Sequence, residues 1–145
     1  MHPELQFLVR LLIAAALAAV LGWEREHARK SAGLRTHMLV GIAAALYTSL
    51  AELSVSALPP GQQGFQADPI RAIQAVAIGI GFLGSGVIFV SRQEDRVHGL
   101  TTAASIWATA AIGIAAGLEL YLLALGATAM LLFVLRVLVR FDAPD

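Results

Sequence analysis

Five apolar stretches of about 20 residues each, separated by short polar segments, leave this chain few ways to fold, because that length suits a helix that crosses a bilayer. The stretches are Leu5–Gly22, Thr36–Leu58, Pro69–Val90, Thr101–Leu118 and Tyr121–Val139. Only 14% of the 145 residues are charged, against about 25% in soluble domains. The sequence therefore predicts an all-α polytopic membrane protein with five transmembrane helices, in a single domain over residues 1–145.

The distribution of Lys and Arg predicts the orientation, because loops rich in these residues stay in the cytoplasm. One predicted side has only Arg10 and Arg71, and the other has eight: Arg25, Arg29, Lys30, Arg35, Arg92, Arg96, Arg136 and Arg140. With five spans, the N-terminus is expected outside and the C-terminus in the cytoplasm. The first span has one alternative interpretation, as a cleaved signal peptide, because apolar residues and Ala-x-Ala sequences follow Arg10.

Composition and spacing exclude several kinds of chemistry. The chain has no cysteine, which excludes disulfides, thiolate metal sites and cysteine nucleophiles. The net charge is zero, which argues against nucleic acid as a partner. Each of the four histidines is isolated in sequence, and no strand is predicted that would position a phosphate-binding loop. We therefore expect neither an enzyme nor a cofactor.

Two charges are predicted within the same leaflet of the bilayer. Arg10 lies early in the first span and Glu52 near the far end of the second, both roughly 8–9 Å from the outer surface at 1.5 Å per residue. They are in position to pair; alternatively, Arg10 extends to the headgroups and Glu52 reaches water separately. Glu52 shares a helical face with Thr48, Ser49 and Gly41, and we expect this face to contact protein.

Small residues recur at helical spacing in two spans. In lipid, such residues let helices approach closely. The residues predicted to pack helices are Ala14, Ala18 and Gly22 in the first span, and Gly79, Gly81, Gly84 and Gly86 in the third. Four glycines lower the helix propensity of the third span by about 4 kcal/mol. Close packing is one explanation; an unwound or kinked segment whose carbonyls line a cavity is the other.

The residues that begin the predicted helices include possible anion or cation ligands. Asp68 precedes Pro69 as a predicted N-cap, with a metal or proton role as the alternative. Hydroxyl caps are predicted at Thr36 and at Thr101–Thr102. Arg35, His37, Arg96 and His98 flank these two helix starts and predict an electropositive corner that binds an anion or a carboxylate, unless they are ordinary interfacial residues.

Three segments in order resemble the MgtC/SapB family of bacterial inner-membrane proteins. They are Gly22-Trp-Glu24-Arg25-Glu26 with Arg35-Thr36-His37, then Asp68-Pro-Ile-Arg71 leading into Gly79–Gly86, then Gly99-Leu-Thr101-Thr102 through Gly113. The resemblance implies a five-helix membrane domain that is associated with growth under magnesium limitation and, in pathogens, with survival inside phagocytes. It also implies a regulatory role, including inhibition of the F-type ATP synthase, although members are often labelled magnesium-transport proteins.

The chain differs from parts of this family in two respects. Longer members add a cytoplasmic C-terminal domain that resembles ACT modules, and we expect this chain, which stops at Asp145, to be the membrane module alone. Some virulence-associated members have Asn and Cys in the fourth helix where this sequence has Thr101 and Ala108. These differences weaken the implied virulence role.

Two functions follow from these patterns. The first is a non-enzymatic regulatory or interaction protein, expected as a homodimer or bound to another membrane protein through its small-residue faces. The second is a transporter of magnesium or another cation or small solute, with carboxylates as ligands. The candidate functional residues are Glu24, Arg25, Glu26, Arg35, Thr36, Glu52, Asp68, Arg71, Thr101 and Thr102.

Overall fold

The computed structural model describes residues 3–56, 69–91 and 96–138. These residues form the helices α1 (Pro3–His27), α2 (Leu34–Ser56), α3 (Pro69–Val87), α4 (Leu100–Gly117) and α5 (Tyr121–Val137), and the strands β1 (Phe89–Ser91) and β2 (Arg96–His98). The first four helices are long and apolar enough to cross a membrane, and α5 is a shorter apolar helix. The predicted all-α membrane fold is confirmed; the predicted orientation of the termini stays a prediction.

α1 is longer than the predicted span, because residues Trp23 to His27 continue the helix instead of starting a loop. These residues contain neither glycine nor proline, and long charged side chains at a helix end can extend toward the headgroups. The helix stops at Arg29, whose φ of 53° is left-handed. The N–H groups of Arg29 and Lys30 donate to the carbonyls of Glu26 and Arg25, both at 3.0 Å, which is a Schellman motif.

The expectation that the chain has no strand is wrong. β1 and β2 form an antiparallel pair in which Phe89 lies opposite His98 and Val90 opposite Val97. Aromatic and β-branched residues favour strands, and they flank residues 92–95 on both sides. The hairpin leads into Gly99, where φ is 87° and an added Cβ would lie 2.2 Å from the Val87 carbonyl oxygen. A glycine is therefore required between β2 and α4.

α4 is the central helix of the bundle and contacts each of the other four. Its buried residues pack against α2 around Val40 and Ile106, and against α1 and α5 around Leu21 and Ile112. α3 differs, because only 6% of its apolar window is buried, against 56% for α4. α3 therefore lies at the edge of the bundle and contacts it through α2 and α4.

Candidate functional site

Arg10 is the centre of a charged cluster that joins α1, α2 and the α4–α5 turn; we call Arg10, Glu52 and Glu119 the Arg10 cluster. Arg10 Nη1 donates to the Glu52 carboxylate, and Nε and Nη2 donate to Glu119 Oε1 at 3.0 and 2.6 Å. Nη1 also donates to the Gly117 carbonyl at 2.9 Å. The Arg10 side chain is 6% exposed, whereas those of Glu52 and Glu119 are 49% and 50% exposed. One buried cation thus faces two carboxylates that are open to the surroundings.

The backbone at Glu119 fixes one of these carboxylates. Glu119 has a φ of 62° at the position after the α4 C-terminus where glycine is usual. Its N–H donates to Ala116 at 3.1 Å, and the N–H of Leu120 donates to Ala115 at 2.8 Å. The turn at Glu119–Leu120 is therefore a Schellman motif. The strain of a non-glycine residue there coincides with a side chain that holds Arg10.

Small residues pack the interior between the two ends of the bundle. Ala14 and Ala18 are fully buried, and a Cβ added to Gly41 would lie 2.7 Å from Ala18 Cβ. A Cβ added to Gly113 would lie 2.4 Å from the Gly41 carbonyl oxygen, and one added to Gly22 would lie 2.7 Å from Leu34 Cα. α1, α2 and α4 therefore meet almost backbone to backbone, and the predicted contact face of α2 lies inside the protein.

A second charged cluster lies at the opposite end of α1. Arg25 Nε and Nη2 donate to the two carboxylate oxygens of Glu24, with Nη2 at 2.8 Å from Oε1. Both side chains are buried, Arg25 at 1% exposed and Glu24 at 9%. Arg25 lies fifteen positions after Arg10, about 22 Å along the helix. The two arginines are therefore separated by most of the thickness of a hydrocarbon core, which is about 30 Å.

His37 connects α2 to α4 beside this second cluster. Its ring is completely buried, with Nδ1 at 2.9 Å from the Gly33 carbonyl and Nε2 at 3.2 Å from Ser105 Oγ. The carbonyl can only accept, so Nδ1 carries a proton. Ser105 Oγ also lies 2.8 Å from the Thr102 carbonyl. When the His37 ring is neutral, the single hydroxyl hydrogen of Ser105 therefore has two possible acceptors, the Thr102 carbonyl and His37 Nε2.

Glu26 caps the N-terminus of α2 from the end of α1. Its Oε2 accepts the Leu34 N–H at 2.8 Å, so the predicted hydroxyl cap at Thr36 is wrong, and Thr36 lies exposed in the first turn. The predicted hydroxyl cap of α4 is also wrong, because Gly99 is the N-cap and no described side chain makes a cap hydrogen bond to this helix. Thr101 is exposed and Thr102 is buried, both within α4.

The structure does not bring the predicted site residues into one place. Glu24, Arg25 and Glu26 lie at one end, and Glu52 at the other. Arg35 and Arg71 are exposed, and Asp68 lies outside the described residues. Of the predicted corner, His37 is buried against Ser105 and His98 stacks on Phe89 with ring centroids 5.4 Å apart, while the Arg96 side chain lies outside the part of the chain that the structure describes. Sequence reasoning did not pair Glu119 with Arg10; its polarity next to a span end was the available signal.

The four glycines of the third span lie in a continuous helix, so the alternative of an unwound segment is wrong. A Cβ added to Gly84 would lie 3.6 Å from Ala103 Cβ. At Gly79, Gly81 and Gly86, an added Cβ would meet none of the described residues within 4 Å. Among the residues that the structure describes, close packing therefore accounts for Gly84 alone of the four.

The fold and the two charged clusters define a class: a multi-pass membrane protein whose helices pack through small residues, with a buried arginine near each end of α1. Comparison with known proteins identifies the group within that class. The model of the MgtC family matches residues 11–143, and the chain belongs to this family.

Curated relatives agree with this membership. The chain is 41% identical over 133 residues to the "Putative magnesium transporter YhiD" of Escherichia coli K12, which covers 91% of the chain and 60% of that protein. It is 39% identical over 126 residues to "Protein MgtC" of Salmonella typhimurium LT2, covering 87% of the chain and 49% of that protein. An uncharacterized protein of Haemophilus influenzae is 39% identical over 127 residues, covering 88% of the chain and 53% of that relative.

The chain thus spans between 49% and 60% of the length of these relatives. No solved structure gives a significant match.

Proposed function

We propose that this chain is a non-enzymatic regulatory protein of the bacterial inner membrane that acts by associating with other membrane-embedded helices, in the first instance a second copy of itself. The face of α3 that points away from the bundle carries this proposal. Of the residues described on this face, Ile78 is 75% exposed and Phe82 is 81% exposed. Gly79 follows Ile78 directly, and Gly86 lies four residues after Phe82. At both glycines, an added Cβ would meet no described residue within 4 Å.

The glycines support association because they lower the helix propensity of α3, and contacts with the described residues do not offset this loss at Gly79 and Gly86. Each interior glycine disfavours the helix by about 1 kcal/mol relative to alanine. In lipid, glycines offset this cost when they let another helix approach closely. The α2–α3 groove adds to this face, with a volume of about 460 Å³ and small residues such as Ala43, Ala72 and Ala75 in its walls.

Replacement of the open glycines by leucine tests the association. Gly79→Leu and Gly86→Leu keep the helix but cover the face, and we expect both variants to lose the dimer in lipid nanodiscs and remain folded. Gly126→Leu is the matched control, because Gly126 in α5 also has no described residue within 4 Å of an added Cβ. A monomeric wild type, or dimers that persist equally in all three variants, would contradict the proposal.

Family membership supports a more specific role in adaptation to low magnesium. On this proposal, the association face modulates a membrane complex such as the F-type ATP synthase, as the resemblance to the MgtC/SapB family implies. Co-purification of the ATP synthase with wild type and its loss with Gly79→Leu would support the role. Equal growth of deletion and wild-type strains at limiting magnesium would argue against it.

Transport of magnesium or another cation is the second candidate, and the Arg10 cluster is the observation that favours it. Glu52 and Glu119 present half-exposed carboxylates at one end of the bundle, and oxygen ligands suit Mg²⁺. The name of the YhiD relative points the same way. In proteoliposomes, a transporter predicts Mg²⁺ uptake that falls in Glu52→Gln and Glu119→Gln. Uptake equal to that of protein-free liposomes would remove this candidate.

A further inference from the structure

A groove runs between α1, α2 and α5, near the end of the bundle where α1 and α5 finish. Its volume is about 450 Å³, and none of its wall residues belongs to α3. The groove is therefore separate from the α3 face and from the proposed association. Each of its three helices contributes two wall residues that are one turn apart, so the walls extend about 6 Å along the bundle. These pairs are Ala19 with Trp23, Leu34 with Met38, and Leu132 with Arg136.

The groove has two levels that differ in polarity. The inner level, toward the middle of the bundle, is formed by the apolar residues Ala19, Met38 and Leu132. The outer level contains Trp23 and Arg136, and both of these side chains are exposed. Tryptophan favours the boundary between hydrocarbon and headgroups, and an arginine near a helix end extends its guanidinium to the headgroups. The groove therefore combines an apolar wall with a cation at the depth of lipid headgroups.

The charges around the outer level favour an anion. None of the described residues forms a hydrogen bond or an ion pair with Arg136. Among the described Asp, Glu, Lys and Arg residues at this end, the exposed ones are the cations Arg29, Lys30, Arg35 and Arg136 and the carboxylate Glu26. Glu26 caps α2, where the positive end of the helix dipole compensates its charge. The Arg136 guanidinium is therefore available to an anionic ligand.

We propose that this groove binds one anionic phospholipid. Its phosphate accepts hydrogen bonds from the Arg136 guanidinium, whose paired donors match two phosphate oxygens, and the first carbons of one acyl chain pack between Val20, Met38 and Leu132. Basic pockets between transmembrane helices on the cytoplasmic side bind such headgroups, and this end is cytoplasmic in the predicted orientation. The lipid joins α5 to α2, since both helices pack on α1 but make little direct contact with each other.

The headgroup contact is tested with the delipidated full chain in detergent. We expect phosphatidylglycerol to raise the melting temperature more than phosphatidylethanolamine with the same acyl chains, and one phosphatidylglycerol molecule to remain bound in native mass spectrometry. Arg136→Gln should weaken this binding about tenfold, through the loss of a hydrogen bond between charged groups, and Arg136→Lys should restore part of it. Lys30→Gln is the matched control, because Lys30 is an exposed cation at the same end that does not line the groove; its lipid affinity should equal that of wild type.

A second pair of variants tests the apolar wall. Val20→Trp fills the groove and should weaken phosphatidylglycerol binding. Val134→Trp should not, because Val134 lies outside this groove although it is 44% exposed, against 45% for Val20. Sodium phosphate alone should leave the melting temperature unchanged. Stabilisation by phosphate or by phosphatidylethanolamine equal to that by phosphatidylglycerol would overturn the proposal, and so would equal lipid affinity of Arg136→Gln, Lys30→Gln and wild type.

Discussion

At the scale of single residues, Arg10 holds three elements together. Its guanidinium donates to Glu52 on α2, to Glu119 after α4 and to the Gly117 carbonyl, and its Cζ lies 4.8 Å from the Phe7 ring centroid. The two alternatives for Arg10 and Glu52 are resolved in favour of the pair. The pair is part of a larger cluster, because Glu119 reaches the same guanidinium from a turn that lies 109 residues away in sequence.

Removal of this cation should destabilise the protein more than removal of either carboxylate. Arg10→Gln removes the charge-assisted hydrogen bonds to Glu52 and Glu119 but leaves only half-exposed carboxylates, and we expect a loss of about 1.5–3 kcal/mol in reversible unfolding in detergent. Glu52→Gln should cost less, because Glu119 remains and Glu52 is half exposed. The double variant should be more stable than the sum of the single losses predicts. Additive losses would contradict the contact.

Two substitutions at Glu119 distinguish the effect of backbone strain from the effect of the charge contact with Arg10. Both Glu119→Gly and Glu119→Ala remove the carboxylate from Arg10, but only glycine relieves the left-handed φ of 62°. The alanine variant should therefore be less stable than the glycine variant by roughly 1 kcal/mol. Thermal unfolding of the two variants side by side measures the difference. Equal stability would mean that the turn relaxes to another conformation.

At the scale of elements, the five helices could be predicted from the sequence because each is a long apolar run bounded by polar residues, proline or glycine. Pro69 correctly marked the first residue of α3, and the Ala14 and Ala18 ladder lies fully buried. The α1 extension and the hairpin were missed, since a charged segment at a membrane edge has no hydropathy signal. Partners such as Ser105 for His37 and Glu119 for Arg10 depend on three-dimensional packing, which spacing along the chain does not encode.

Alanine substitutions at two glycines on different helices distinguish the effect of helix packing on stability from the effect of helix propensity. Gly113→Ala would place a Cβ 2.4 Å from the Gly41 carbonyl oxygen, so α2 and α4 must separate, and we expect a loss of about 1–3 kcal/mol. At Gly126, an added Cβ meets no described residue within 4 Å. Gly126→Ala should be neutral or stabilise by up to about 1 kcal/mol. Unfolding in the same detergent compares the two, and equal effects would contradict the observed α2–α4 contact.

At the scale of the whole molecule, Arg10, His37 and the packed core make α1, α2 and α4 one unit. Arg10 joins one end of this unit to the α4–α5 turn, and His37 joins α2 to α4 at the other end. α3 lies at the edge of this unit and packs against α2 and α4, with Val76 and Ile80 against the cluster around Val40 and Ile106.

The direction in which this unit crosses the membrane can be measured because the chain has no cysteine. Eight of the ten Lys and Arg residues lie on the predicted cytoplasmic side, and such loops resist translocation. Ser31→Cys and Leu120→Cys place single thiols at exposed positions near opposite ends of the bundle. In intact cells, a membrane-impermeant maleimide should label Leu120→Cys and label Ser31→Cys only after lysis. The reverse pattern would mean that the N-terminus is cytoplasmic, and would place Glu52 and Glu119 on the cytoplasmic side.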